Sequence, residues 1–487
     1  MNQKLCESIC SVLVLAALLS GCCKVGEDYV QPDLSAYTGT EWKAGTPLLE
    51  NESIAVRWWT QFDDAELNRL VETLLAQNIS LKVARERIIE NRSQRGVTRA
   101  DLLPKAYLGG YGLRSRAADG ARGIIGLPGG TQSNLFAAAA LAGWELDLWG
   151  RVQRLVESAD YTIEASRAAY GDAAVSLVAE LARGYVDFRA TEARILLAQR
   201  KISLLEEQRT LAETKLIAGT GTRQDFLQAR TEVRQSKAVL RTLFQAKSVA
   251  ENSMAVLLGM PPSSFTCAVG CQLVPPSIVG IGIPASLLSR RPDIRKAEQE
   301  YAASVALVGA AKGERFPKIA LGGTLNFQAT DVDKLFHADT LVYAFGGGVL
   351  LPVFTGGRIE AQIEVQESLA EQRKLQLQQA VLEAVEEVEN SVIGVSQRCR
   401  QAQELSCALQ ERSGAVELTM QLFASGLQGR TAVVEQQLEQ VSLADALAVA
   451  RQQELGEIIH LYRALGGGWD VTENAVVSAS HKEHQGE

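Results

Sequence analysis

Histidine is scarce in this chain of 487 residues: there are four, at positions 337, 460, 481 and 484. The last two fall in a polar tail, which argues against a His-rich catalytic or metal centre. Methionine is as rare, with four residues, so a thioether path for soft Cu(I) is missing too. There is no basic surplus. Lys and Arg number 49 against 57 Asp and Glu, giving a net charge of −8, which argues against a nucleic-acid partner. Beyond the first 21 residues no stretch reaches about 18 apolar residues, so no membrane-spanning helix is expected. Proline is absent between Pro128 and Pro261 and again after Pro352. No P-loop, HExxH motif or nucleophile–base constellation is visible, so no enzymatic function is expected. What remains is 46% hydrophobic and 22% charged, a composition that folds rather than staying disordered.

The first segment reads as an export signal. Met1 to Gly21 has a weak basic start at Lys4 and a short apolar run, Val12 to Leu19, of the length of a signal-peptide core. Leu19-Ser20-Gly21-Cys22 has the order of a bacterial lipobox, an aliphatic residue, two small ones and a cysteine. On that reading the mature chain begins at Cys22 with acyl chains on it; a plain secretory signal with a chance cysteine is the alternative. Cys23 follows, not Asp, which in this lipoprotein class implies the outer membrane. Of the remaining cysteines, Cys267 and Cys271 are close enough for a small-loop disulfide in an oxidising compartment. Cys399 and Cys407, eight apart on a helical pattern, are expected to be packing residues and are too far apart to bridge.

The rest is a duplication. Leu103-Pro104-Lys105 with Gly109-Gly110 recurs as Phe316-Pro317-Lys318 with Gly322-Gly323. Gly150-Arg151 recurs as Gly357-Arg358, Gly219 as Gly426, Arg223 as Arg430, and Leu258-Gly259 as Leu465-Gly466. The first set repeats at one spacing (317 against 104) and the second at another (426 against 219), so a single gap lies between Gly110 and Gly150. Each copy reads as helix, strand, loop, strand and two very long helices. From about Val152 to Ile217 apolar residues recur at three-to-four spacing, a helix of about 100 Å at 1.5 Å per residue. Gly219-Thr220-Gly221-Thr222 turns the chain, and Gln224 to Leu257 returns. Ser425 to Gly429 makes the second turn.

The strands alternate. Ile319, Leu321, Gly323, Leu325 and Phe327 share one face, with Ala320, Gly322, Thr324, Asn326 and Gln328 opposite. Leu341, Tyr343, Phe345, Gly347 and Val349 form a similar face, and Trp144, Leu146 and Leu148 a third. Such alternation fits transmembrane β-strands, and equally a half-buried soluble sheet. Four strands cannot close a barrel, and an open edge in lipid leaves backbone groups unsatisfied. Strands in a membrane would therefore have to be shared among chains, and three chains supply twelve.

Cys22 followed by Val25-Gly26-Glu27-Asp28-Tyr29 and Pro32 resembles the start of outer-membrane efflux lipoproteins, the NodT- and OprM-like branch of the TolC family, with Glu27 in place of the usual Pro. Trp58-Trp59 with Phe62-Asp63-Asp64, Arg290-Arg291-Pro292-Asp293-Ile294 and the twin Gly-Arg sites also match, so the resemblance covers most of residues 22–470. It implies a mainly α fold with a transmembrane β part. Three chains would form a twelve-stranded outer-membrane barrel and a helical tunnel through the periplasm. The implied function is a passive exit duct for small molecules in a tripartite pump. Its implied partners are a periplasmic adaptor, an inner-membrane RND-type transporter and outer-membrane lipid, with no cofactor beyond the lipid on Cys22. On that plan residues 1–21 are signal, 22–60 a lipidated extended segment, 61–270 and 271–470 the two repeats, and 471–487 a polar tail.

The resemblance also points to the hairpin tips. In the family an acidic ring closes the tunnel after the second turn. Here the motif reads Arg430 for its aromatic, Ala432 for its first Asp and Glu435 for its second; the first copy has Arg223, Asp225 and Gln228. Asp225, Glu435, Arg223 and Arg430 are thus gate candidates, with the two Arg as expected ion-pair partners; all four could equally be solvated tip residues. If closure is steric instead, Val433 and Val434 would carry it. Gly219, Gly221, Gly426 and Gly429 are candidate adaptor contacts. Other readings remain. An adaptor would have one hairpin, a structural coiled-coil lipoprotein would lack the glycine-rich strands, and a type I protein-secretion duct would share the fold.

Overall fold

The computed structural model describes residues 24–39, 42, 57–116, 118, 132–268, 275–276 and 290–469. Among the described residues the two copies share five elements in the same order, and the first copy has one helix more. Helix α1 (Ala65–Gln77) leads into α2 (Ile79–Ala100), strands β1 (Lys105–Arg116) and β2 (Gln132–Leu146), then helices α3 (Arg151–Ile217) and α4 (Arg223–Leu257). The second copy gives α5 (Pro292–Gly313), β3 (Lys318–Ala329), β4 (Leu341–Leu350), α6 (Arg358–Ala424) and α7 (Arg430–Ala464). α3 and α6 each have 67 residues, and α4 and α7 each have 35. Equal helix lengths are what a gap-free duplication requires, because one inserted residue turns a helical face by about 100°.

The chain divides into two compact units. The first holds Met1–Pro32, Arg87–Ser166 and Ala297–Leu377, and its centre is the sheet. The strands run antiparallel in the order β1-β2-β3-β4. Register places Leu108 opposite Ala140, Ala140 opposite Leu325 and Leu325 opposite Tyr343. Trp144, Leu321, Phe327, Leu341 and Phe345 belong to that same face, because cross-strand partners point the same way and side chains alternate. The opposite face carries Ser115, Ser133, Thr324, Asn326 and Gln328, together with Tyr107, Tyr111 and Leu141. The apolar face is largely exposed, so nothing among the described residues covers most of it. β1 and β4 each pair on one side only. α2, α3, α5 and α6 all join the strands at one end of the sheet, while β3 runs on to β4 at the other end through two short 3-10 turns, Val332–Lys334 and Ala338–Thr340. The strand expected around Trp144 to Leu148 stops earlier than its alternation suggested. Asp147 leaves the sheet and accepts from the Gln153 amide (2.8 Å) in the first turn of α3.

The second unit holds Asp33–Glu86, Arg167–Lys296 and Gln378–Glu487. Its core gathers Trp58, Trp59, Phe62, Leu70, Val71 and Leu74 against Tyr185 and Phe188 of α3 and Ile458, Leu461 and Tyr462 of α7. Trp58 stacks on Tyr462 at 5.0 Å and 10°. Asp64 caps α1 by accepting from the amides of Glu66 and Leu67, and its other oxygen accepts from the Tyr185 hydroxyl at 2.9 Å. The Trp-Trp-x-x-Phe-Asp-Asp motif thus builds core and cap. Arg291 of the Arg-Arg-Pro-Asp motif donates to the Ala464 carbonyl (2.6 Å), pairs with Asp293 (2.7 Å) and pairs with Glu387 (2.9 Å), tying off the end of α7.

Polar contacts order the long helices of this unit. α3 meets α4 through Glu192–Lys247 (2.8 Å) and Glu206–Lys237 (2.7 Å). It meets α7 through Arg194–Asp445 (2.7 Å) and Asp187–Gln452 (2.7 Å). α7 meets α6 through Glu439–Arg412 (2.6 Å). The order is therefore α4-α3-α7-α6. The flanks α4 and α6 carry exposed apolar residues, among them Val239, Val249 and Val256 on one and Leu418, Met420 and Phe423 on the other.

Candidate functional site

The two hairpin tips share a turn and differ in how the returning helix starts. Gly219 and Gly426 both have φ of +74°, the left-handed conformation that ends a helix at little cost only for glycine. Gly221 has a second reason, since a Cβ there would lie 2.8 Å from that of Lys215. At the first tip Thr222 and Asp225 form a reciprocal capping box: the Asp225 amide donates to the Thr222 hydroxyl (3.1 Å), and the Thr222 amide donates back to the carboxylate (3.2 Å). Those bonds, the Thr222 hydroxyl above all, hold the Asp225 carboxyl below its ordinary pKa. At the second tip the cap position is Gly429, with no side-chain bond, and Ala432 replaces the box aspartate. One tip is pinned by its own sequence and the other is not.

The gate candidates are distributed otherwise than expected. Arg430 pairs with neither Asp225 nor Glu435. It makes a two-pronged pair with Glu207 of α3, from Nε to Oε1 (2.5 Å) and from Nη2 to Oε2 (3.0 Å), and its guanidinium lies 5.9 Å from the Phe423 ring centre. The bond from Arg430 holds the Glu207 carboxyl below its ordinary pKa. Asp225 and Glu435 do come together, lining one cavity of about 230 Å³ with Gln208, Lys215, Glu232 and Thr431. The cation among them is Lys215, which donates to Thr431 (2.9 Å); Arg223 is exposed on the surface. Val433 and Val434 are 0% exposed. Val434 packs on Leu204 of α3, so these two side chains serve the packing between α7 and α3. Glu207 was not legible as a partner, because it lies 223 residues from Arg430 and nothing local marks it among the charges of α3.

The cysteines also differ from expectation. Cys399 and Cys407 are exposed on α6 rather than packed. Cys267 is buried, and burial pushes its thiol up to about 11; Cys271 lies outside the described residues, as do the signal and Cys22. One arrangement resembles a hydrolase triad. Ser391 Oγ lies 2.7 Å from His460 Nδ1, and His460 Nε2 lies 3.7 Å from Glu387. The serine is 1% exposed and gives its proton to the Glu387 carbonyl (2.6 Å), while the carboxylate is held by Arg291 and Arg463. The contact ties α6 to α7 and offers no substrate a nucleophile. Among the described residues no cluster of three or more His, Cys, Asp or Glu is placed to hold a metal, and no helix is long and apolar enough to cross a membrane.

A duplicated chain with an apolar-faced, open-edged sheet and two long helical hairpins matches known proteins over almost its whole length. Nodulation protein T of Rhizobium leguminosarum bv. trifolii is 28% identical over 94% of this chain and 97% of its own. The probable efflux pump outer membrane protein TtgC of Pseudomonas putida is 28% identical over 95% and 96%. Among solved structures, the outer-membrane channel OprN is 30% identical, with a TM-score of 0.81 over 92% of this chain and 100% of that one. The sequence profile described as "Outer membrane efflux protein" matches residues 70–260 and 283–467, one stretch in each copy. The chain belongs to that family, and its place is the outer membrane.

Proposed function

We propose that this chain is the exit duct of a tripartite efflux pump and works as a homotrimer. The observation that carries the reading is the sheet with two unpaired edges. In hydrocarbon every backbone donor and acceptor needs a partner, and β1 and β4 each have one side free. Joining β4 of one copy to β1 of the next satisfies both, and three copies give a closed barrel of twelve strands. The exposed apolar residues on α4 and α6 fit the same operation, flank against flank. The helix-bearing end of the sheet then faces the periplasm and the loop end faces outside.

In this reading an inner-membrane transporter of the RND type supplies the energy, and a periplasmic adaptor meets the tips around Gly219, Gly221, Gly426 and Gly429. The chain does no chemistry; it conducts small molecules. Cys22 carries the acyl anchor, and no other cofactor is needed. The gate is the second hairpin, held to the first by Arg430–Glu207 and Lys215–Thr431, with Asp225 and Glu435 lining the cavity beside them. Deleting the gene in the host and following a fluorescent efflux dye tests the reading. Dye retention should rise and return to normal when the chain is supplied again. Unchanged retention, with secretion of a polypeptide lost instead, would assign the duct to protein export.

A further inference from the structure

Arg154, in the first turn of α3, is 1% exposed, yet it is not paired simply with a charge on its own helix. It donates from Nε to the Val25 carbonyl (3.1 Å) and from Nη2 to the Gly26 carbonyl (2.8 Å). Its Nη1 pairs with Asp28 (2.8 Å) and Glu157 (2.9 Å). Three of the four partners belong to the short segment at the N-terminus. The rest of that segment is docked as closely. The Val25 amide donates to the Trp149 carbonyl (3.1 Å), and Lys24 pairs with Glu157 (3.2 Å). Gly26 lies against Gly309, where a Cβ would come within 2.5 Å of the Gly309 Cα. Tyr29 packs edge-on against Tyr161 and Tyr301 and donates to Glu298 (3.1 Å).

The duplication shows that this groove is specialised. At the repeat spacing, Arg154 corresponds to Ala361, Tyr161 to Ser368 and Tyr301 to Ile88. Gly309 corresponds to Gly96, which has open space around it. The equivalent position in the other copy therefore has neither the arginine nor the tyrosine cage. A guanidinium buried without acceptors is strongly unfavourable, so Arg154 and the segment need each other.

We propose that residues 24–29 are a strap clasped by Arg154, and that the clasp holds the lipidated N-terminus at the helix-bearing end of the sheet, so that anchor and strands meet the same leaflet. The anchoring half rests on Cys22 being the acylated residue. Trp149 and Gly150 lie three and four residues beyond the end of β2, and Cys22 is two residues before Lys24, a span of about 7 Å at most. Arg154 is thus a positioning residue for the anchor.

Trypsin reads the clasp on the full-length protein purified in detergent, because the Lys24–Val25 bond lies in the docked strap. Arg154→Ala should be cut there at least tenfold faster than the parent, with unchanged helix content, and Arg154→Lys should fall between. Gly26→Ala, which clashes from the strap side and leaves α3 intact, should behave like Arg154→Ala. Equal rates in the parent and both alanine variants, or acceleration in Arg154→Ala without it in Gly26→Ala, overturns the clasp. The anchoring half is read from the yield of assembled protein in the outer membrane. Cys22→Ser and Arg154→Ala should each lower it, and the double variant should be no worse than Cys22→Ser alone; additive losses overturn it. An unmodified Cys22 in the parent's mass, with Cys22→Ser harmless, sinks the lipid reading and the anchoring half with it, while the trypsin rates still decide the clasp.

Discussion

Arg430 and Glu207 are each about one-third exposed, so their pair is worth about 0–1 kcal/mol. In the proposed gate, a lock of that size would hold the tip closed only marginally, as a gate opened by a partner requires. Arg430→Ala and Glu207→Gln should both raise single-channel conductance in planar bilayers, by up to about fivefold, since 1.4 kcal/mol is a factor of ten. Glu435→Ala should do less, because Glu435 makes no ion pair among the described residues. If Glu435→Ala opens the channel and Glu207→Gln does not, the lock is misassigned. The pH dependence has a fixed sign. Glu207 is held below its ordinary value, so the pair is intact above about 4.5 and is lost as pH falls through the lowered value. Conductance of the parent should be flat from pH 8 down to the ordinary glutamate range and rise only below it. A rise between pH 7 and 6 would point to another group.

At the scale of elements, the tips differ by one cap. Gly429 has φ −87° and ψ 157°, which any residue can adopt, and open space around it. Gly429→Ser should therefore add a few tenths of a kcal/mol and slow hydrogen exchange at Thr431 and Ala432. No slowing would mean that the turn is held by something other than its cap. The core element has a larger reserve. Trp58→Ala removes the stack on Tyr462 and should cost about 3–5 kcal/mol, seen as a drop in thermal midpoint; a shift within error would contradict the packing described. These elements were unequally legible. The long helices were readable to within a residue because proline is absent and an apolar stripe runs their length. β2 was caught only at its end, because Ala137 to Ala140 has no alternation to read. The exposed cysteines of α6 were misjudged because an apolar thiol on a helix says nothing about which face is covered. The Arg430–Glu207 pair and the Arg154 clasp join residues far apart in sequence, and no spacing rule reaches that distance.

For the whole molecule, one chain leaves both ends of its repeating pattern unfinished. The sheet has two free edges, and the helix row α4-α3-α7-α6 ends on two apolar flanks. In the proposed symmetric ring each copy would offer its neighbour the edge the neighbour lacks. The duplication gives each chain four strands and four long helices, so the count closes at three copies rather than two if a barrel of twelve strands is formed. Raising salt should weaken the tip pairs by screening while leaving the barrel intact, so conductance should rise relative to bulk conductivity without dissociation. The central claim is that three chains build one conduit, and the most direct test is the protein mass of the particle extracted from the outer membrane in detergent. The account predicts three times the mass of the mature chain. A monodisperse particle of one chain with its strands intact would contradict it.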